Sequence, residues 1–220
     1  MELLKHEKLI PGISAYNEEI DEHEEESLKE RFKVHSKCDL CGVSLHEDIR
    51  HSMRLNRRLL NACSMCYYTD NLDRIPSQQK GKVIHFPFME QPRFNALIRG
   101  IWAVTALRKL EPENRELELI ESSVSTLMTV IKGQENMTAS YFTNVETVIY
   151  ASLLGLIPKH EYDQRYKLLT NFVWIPDQEP FEKDVAFWIQ KDYSVLHDKK
   201  ISGNITNFMS DYLSEYNLKE

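Results

Sequence analysis

Four cysteines carry the clearest chemistry in this 220-residue chain: Cys38, Cys41, Cys63 and Cys66, spaced Cys-x2-Cys-x21-Cys-x2-Cys. Each Cys-x2-Cys pair can fold into a tight knuckle that points two thiolates at one ion, and Gly42 supplies the permissive backbone such a turn favours. Four thiolates close a tetrahedron around Zn2+ and leave no position for water or substrate, which is the structural kind of zinc site. Iron is compatible with the same ligands. A dithiol redox pair would use one motif beside a β-α-β pattern, whereas this chain has two motifs and no such pattern. The reading is a structural zinc site. Its binding free energy would be folding free energy, on the order of 10 kcal/mol, so metal removal is expected to melt residues 29–82 first.

The charge distribution isolates the cysteine segment. Residues 1–28 carry nine acids against two bases, residues 29–82 eleven bases against six acids, and residues 83–220 nineteen acids against fourteen bases. Zinc with four thiolates has a formal charge of −2, which the nearby Lys37, Arg50, Arg54, Arg57 and Arg58 would offset. The same basic excess could instead meet phosphates, giving an affinity that falls steeply with salt. The acidic segments on either side argue against a nucleic-acid partner. Met1–Lys8 holds no apolar stretch of the secretory kind, and no run reaches the roughly 18–20 apolar residues of a membrane span. The expectation is a cytoplasmic protein, where thiols stay reduced and bind metal rather than pair.

Two knuckles bracketing a short hairpin, with the second pair opening a helix, outline a treble clef, the scaffold of the His-Asn-His endonucleases. Those enzymes need a catalytic His as general base and further ligands for a hydrolytic metal. Here Tyr67 follows Cys66 where that family usually places its last His. His46, Asp48, His51 and Asn56 lie between the knuckles without forming the family's motif, and His85 reads as structural. A nucleic-acid-binding or nuclease treble clef is the alternative function, and no catalytic residue is assigned.

The elements that must position the cysteines follow from pattern. Residues 1–28 read as an acidic N-terminal arm, solvated or loosely helical because like charges repel. Residues 29–90 form the zinc-binding treble-clef-like module, ending in a strand over Val83–Phe88 that Pro87 places at a sheet edge. Residues 91–220 form a helical part packing on it. Its first helix runs from Pro92 to about Leu110 with Phe94, Leu97, Ile98, Ile101, Trp102 and Val104 on one stripe. A second follows Pro112 and ends at Gly133. Thr143 and Glu146 have capping-box spacing for a third, reaching Gly155. Pro158 starts a fourth over Tyr162, Tyr166 and Leu169. Phe172–Pro176 is an extended connector, Pro180 opens a fifth helix and Asn204 caps a last one. The fold class is α+β, with a small degenerate HNH-like module and hairpin against helices. The aromatic and methionine stripes read as core.

The order of several segments resembles the IcmJ/DotN proteins of type IVB (Dot/Icm) secretion and related conjugation systems. These are Arg31-Phe-Lys33, the knuckle Cys38-Asp-Leu-Cys-Gly42, Glu47-Asp-Ile49 and Asn56-Arg-Arg-Leu-Leu-Asn-Ala-Cys-Ser-Met-Cys66 with Tyr67 and Tyr68. Val83-Ile-His-Phe-Pro87, Phe94-Asn-Ala-Leu97, Leu168-Leu-Thr-Asn-Phe-Val-Trp-Ile-Pro176, Phe181 and Trp188-Ile189 complete the series. The likeness covers most of residues 31–196. Family members usually carry extra cysteines around the second knuckle, where this chain has Ser64, Tyr67 and Tyr68. The resemblance implies zinc ligation by Cys38, Cys41, Cys63 and Cys66. It also implies a non-catalytic adaptor of the coupling complex that grips the C-terminal segment of the coupling ATPase beside other coupling-complex subunits. Such a protein would be recruited to the cytoplasmic face of the inner membrane through its partners. Strand addition at Val83–Phe88 and helix docking between the helices are both open as modes of partner binding.

Overall fold

The computed structural model describes residues 8–76, 81–141 and 146–193. Its elements in chain order are α1 (Glu22–Val34), the hairpin β1 (Arg50–Leu55) and β2 (Arg58–Cys63), α2 (Ser64–Thr69), β3 (Lys82–His85), α3 (Gln91–Leu110), α4 (Arg115–Tyr141), α5 (Thr147–Gly155), α6 (Lys159–Tyr162), α7 (Arg165–Leu168), β4 (Phe172–Ile175) and α8 (Glu182–Lys191). The architecture is α+β: helices around two separate two-stranded antiparallel sheets, β1-β2 and β3-β4. The hairpin turns through Asn56 and Arg57, both with positive φ (49° and 67°), between the paired residues Leu55 and Arg58. Two left-handed residues in a two-residue loop match the twist of the flanking strands.

One hydrophobic core runs through the molecule. It joins Leu9 and Ile13 to the cysteines, to Ile84 and Phe94, and on to Trp174, Phe181 and Trp188. The described part of the N-terminal segment, residues 8–28, is helical from Glu22 onward, and its apolar residues reach the core. Leu9, Ile10, Ile13 and Leu28 are buried. Gly12 donates its N–H to Thr69 O at 2.8 Å and accepts from Leu72 N at 3.0 Å. A Cβ at Gly12 would stand 2.7 Å from Asp70 Oδ1 and 2.8 Å from Tyr162 Oη, so only glycine fits this close approach. The acidic run forms α1 because Asp21 and Glu24 build a capping box, in which the Asp21 side chain accepts from Glu24 N and Glu24 accepts from Asp21 N. Glu22, Glu24 and Glu25 in its first turn favour the helix dipole.

The helical part departs from the pattern in three places. α4 passes through Gly133 and is helical to Tyr141, the end of that described stretch, since Ile131 and Thr138 stay buried on either side and hold the helix to the core. The helix expected after Pro158 is two single turns, α6 and α7, broken at Asp163 and Gln164. The connector at Phe172 is strand β4, paired with β3 in the register Lys82 to Ile175 through His85 to Phe172. α3 begins with Pro92 in its first turn and α8 follows a turn at Glu179–Phe181, as expected. Glu146 is the N-cap of α5 but makes no side-chain cap bond. Thr143 and the helix expected after Asn204 lie outside the described residues.

Candidate metal centre

The first knuckle forms where Gly42 takes φ +74° and donates to Cys38 O at 2.9 Å, while Cys38 N donates to Val43 O at 2.8 Å. The second forms where β2 hands over to α2. Cys63 is the N-cap of α2, and Cys66 sits in its first turn. Asp39 of the first knuckle donates its N–H to Asn61 O at 2.9 Å and its Oδ2 accepts from Asn61 N at 2.7 Å, which brings the first knuckle against the end of β2 that leads into the second. The four Sγ atoms all lie within 4.8 Å of one another, and Cys38, Cys63 and Cys66 are buried.

Cys41 Sγ and Cys63 Sγ are 3.6 Å apart, and all four cysteines are free. A disulfide needs about 2.05 Å, so the redox alternative is not the state of this cage. A tetrahedron with metal–sulfur bonds of about 2.3 Å has edges of about 3.8 Å, close to the separation seen. The donor set fits a soft or borderline divalent metal, and the four cysteines would hold it with no protein position left over.

Three buried polar residues on α3 support the cage. Arg99 Nη1 donates to Cys41 Sγ at 3.2 Å, and Asn95 Nδ2 donates to Cys66 Sγ at 3.4 Å. Gln91 Nε2 donates to Asn95 Oδ1 at 2.8 Å, fixing that amide. Gln91, Asn95 and Arg99 follow each other at four-residue steps and are 2%, 0% and 3% exposed, so one polar stripe of α3 faces the sulfurs. Arg99 also stacks over Trp188, 5.3 Å from its ring centroid. Such outer groups orient thiolates and temper their charge.

The cation beside the sulfurs is thus Arg99, not the local basic residues expected from sequence. Arg50 and Arg54 are engaged elsewhere, with Glu25 and Glu24 of α1. Burial opposes the charge of Arg99, but Cys41, Cys63 and Cys66 outweigh it and hold the guanidinium above its ordinary value. Hydrogen bonds from Cys38, Cys63 and Cys66 pull the Cys41 thiol down, and Arg99 adds to this, whereas burial pushes Cys63 up. Pattern reading passed over the α3 stripe because it looked for apolar spacing; polar residues at i, i+4 and i+8 were the available signal.

The residues weighed for nuclease chemistry do not converge. Asn56 is at the hairpin tip, beyond the six residues of β1, while His46 precedes that strand and its Nδ1 lies 3.3 Å from Asp48 Oδ2. His51 stacks on Tyr67 with centroids 4.4 Å apart, and its Nε2 lies 3.3 Å from Ser64 Oγ. Burial, with help from Arg50, lowers His51 to about 4 and keeps it neutral. His85 is on β3 with its ring edge against Phe172. No family model matches the chain, and no curated protein matches it either.

Proposed function

We propose that the four cysteines hold a structural Zn2+ in a treble-clef-like module, and that the chain is a non-catalytic adaptor subunit of a type IVB secretion or conjugation coupling complex. Its partner in this reading is the C-terminal segment of the coupling ATPase. The observation that carries the proposal is the sealed cage. Four sulfurs from two knuckles converge, Asn95 and Arg99 close it from α3, and a metal held there keeps no open position for a reacting group. The ordered segments resembling the IcmJ/DotN proteins supply the partner.

The two docking modes left open by the sequence are no longer equal. The free edge of β3 is taken up, since Thr138 Oγ1 of α4 accepts from His85 N at 3.0 Å and Gly81 O accepts from Thr147 N at 3.1 Å. The outer edge of β4 is capped by one amide. Gln91 Oε1 accepts from Trp174 N at 2.7 Å and Gln91 Nε2 donates to Trp174 O at 3.0 Å. Strand addition would have to displace these contacts. By contrast α5 is apolar on both faces, and Ile149, Leu153 and Leu156 stand on an outer stripe, 39%, 57% and 81% exposed. That stripe is suited to a helical segment of the partner. Among the described residues no helix is long and apolar enough to cross a membrane, so membrane recruitment in this reading runs through the partner.

Elemental analysis of the purified chain should find one zinc per molecule, and iron in its place would redirect the metal assignment. Calorimetric titration with the tail of a cognate coupling ATPase should show binding that Leu153→Glu weakens at least tenfold. Absence of binding at micromolar concentration would refute the adaptor reading.

A further inference from the structure

The acidic segment and the basic hairpin, separate in sequence, meet in the fold. Leu28 is the one buried residue of α1, so little apolar burial fastens this helix. Phe32 packs at the edge of the core, Asn61 Nδ2 donates to Leu28 O at 3.2 Å, and ion pairs add to this fastening. Both carboxylate oxygens of Glu24 accept from Arg54 Nη2, and Glu25 Oε1 accepts from Arg50 Nη2 at 2.5 Å. Glu18 lies 3.4 Å from Arg54 Nε, yet that buried nitrogen has no hydrogen-bond acceptor among the described residues. Beside these pairs is a cleft of about 330 Å3. Its lining includes Arg54, Tyr67 and Arg74 together with Glu18, Glu19, Glu25 and Asp70. The module contributes Arg54 and Arg74 beside Asp70, whose carboxylate is answered by Arg165, and the segment contributes Glu18, Glu19 and Glu25.

We propose that the face formed by Arg50 and Arg54 of the hairpin and by Arg74, in the turn after α2, is a docking surface for an acidic peptide segment of a partner protein, with α1 and its leader as a built-in competitor. The occupant's chemistry is displayed by the competitor: carboxylates carried on a helix, received by the guanidinium groups of Arg50 and Arg54 in charge-assisted hydrogen bonds. A short acidic segment confines its charge to this face. A nucleic-acid duplex, with a charge about every 1.7 Å, would extend past it toward the acidic remainder of the chain. A tethered competitor acts at an effective concentration on the order of millimolar, so the intact chain binds an isolated peptide weakly until the competitor is disabled. This surface is separate from the α5 stripe, and its failure would leave the adaptor reading standing.

The test uses the full chain with Glu18→Gln, Glu24→Gln and Glu25→Gln together, and a fluorescent synthetic peptide of residues 14–34 as probe. The variant should bind the peptide at least tenfold tighter than the parent at low salt. Adding Arg54→Gln and Arg74→Gln should abolish the gain. No gain in a folded variant, or a gain that survives loss of the arginines, overturns the proposal. Tighter binding of a short DNA duplex than of the peptide also overturns it, in favour of nucleic acid. If the triple variant does not fold, hydrogen exchange on the parent chain decides. Excess peptide should speed exchange of amides 22–34 selectively, and unchanged exchange there sinks the idea.

Discussion

Asn95 and Arg99 show how two single residues connect a four-cysteine cage that could hold a metal to the rest of a protein. Each aims a donor at a cysteine sulfur from a fully buried position on α3. Outer-shell groups of this kind are commonly worth 10–100-fold in metal affinity. Asn95→Ala and Arg99→Met should each weaken zinc by about that factor in competition with a chromophoric chelator, with Arg99→Met the larger loss because a charge goes with it. An unchanged affinity would mean the contacts only fill space. Asp184 gives a second test at this scale. Burial raises its carboxyl to about 6, against an opposing hydrogen bond from Ser64, and its Oδ2 has no partner among the described residues. Because the folded pKa lies above the unfolded one, the folded state binds more protons between about pH 4 and 6. The contribution of Asp184 is therefore fully present below about pH 4 and lost as pH rises through about 6. Asp184→Asn should raise stability by up to about 3 kcal/mol near pH 7 and change little near pH 4, by urea unfolding.

Among the elements, the β3-β4 pair depends on contacts from outside the sheet. Gln91 acts as a one-residue strand against Trp174, satisfying both backbone groups while its amide also fixes Asn95. Gln91→Leu would keep the volume but strand a buried N–H and C=O, at about 1–3 kcal/mol each. Chemical denaturation should show a loss of that order, together with weaker metal binding through Asn95. A loss of stability without any effect on the metal would break the link drawn between sheet and cage. At the other end, Gly81 takes φ +81°, and a Cβ there would collide with the carbonyl oxygen of Ile175. Gly81→Ala should accordingly be destabilising by more than the helix- or strand-propensity scale, about 1 kcal/mol, would suggest.

For the molecule as a whole, the cysteines are members of the same core as Leu9, Phe94 and Trp188. The sequence expectation that residues 29–82 melt first on metal removal assumed an independent module. With Arg99 joining Cys41 to Trp188 and α1 ion-paired to the hairpin, loss of the metal should destabilise the molecule together. Chelation should lower a single thermal transition read by Trp fluorescence and by circular dichroism at the same temperature. Two separated transitions, with the tryptophans of α3, β4 and α8 melting later, would restore the modular picture.

What the sequence determined is what short-range spacing encodes. The two Cys-x2-Cys pairs mark two knuckles wherever they fold, the hairpin between them is set by a two-residue turn, and Pro92 opens α3 by fixing a first-turn backbone. Apolar periodicity likewise placed Phe94, Ile98, Ile101 and Trp102 in the core. Tertiary structure decided what depends on partners far along the chain. Nothing near Glu24 in sequence says that its charge is answered by Arg54, so the acidic run, read as solvated or loosely helical, is a helix fastened to the hairpin. Nothing near Cys41 names Arg99, 58 positions away, as its cation. Gly133 could end a helix by propensity, but burial of Ile131 and Thr138 outweighs about 1 kcal/mol of glycine preference and carries α4 on. Local conformational preferences are worth tenths of a kcal/mol to about 1 kcal/mol, while burial and charge pairing across the chain are worth several, so the longer-range terms prevail wherever the two conflict.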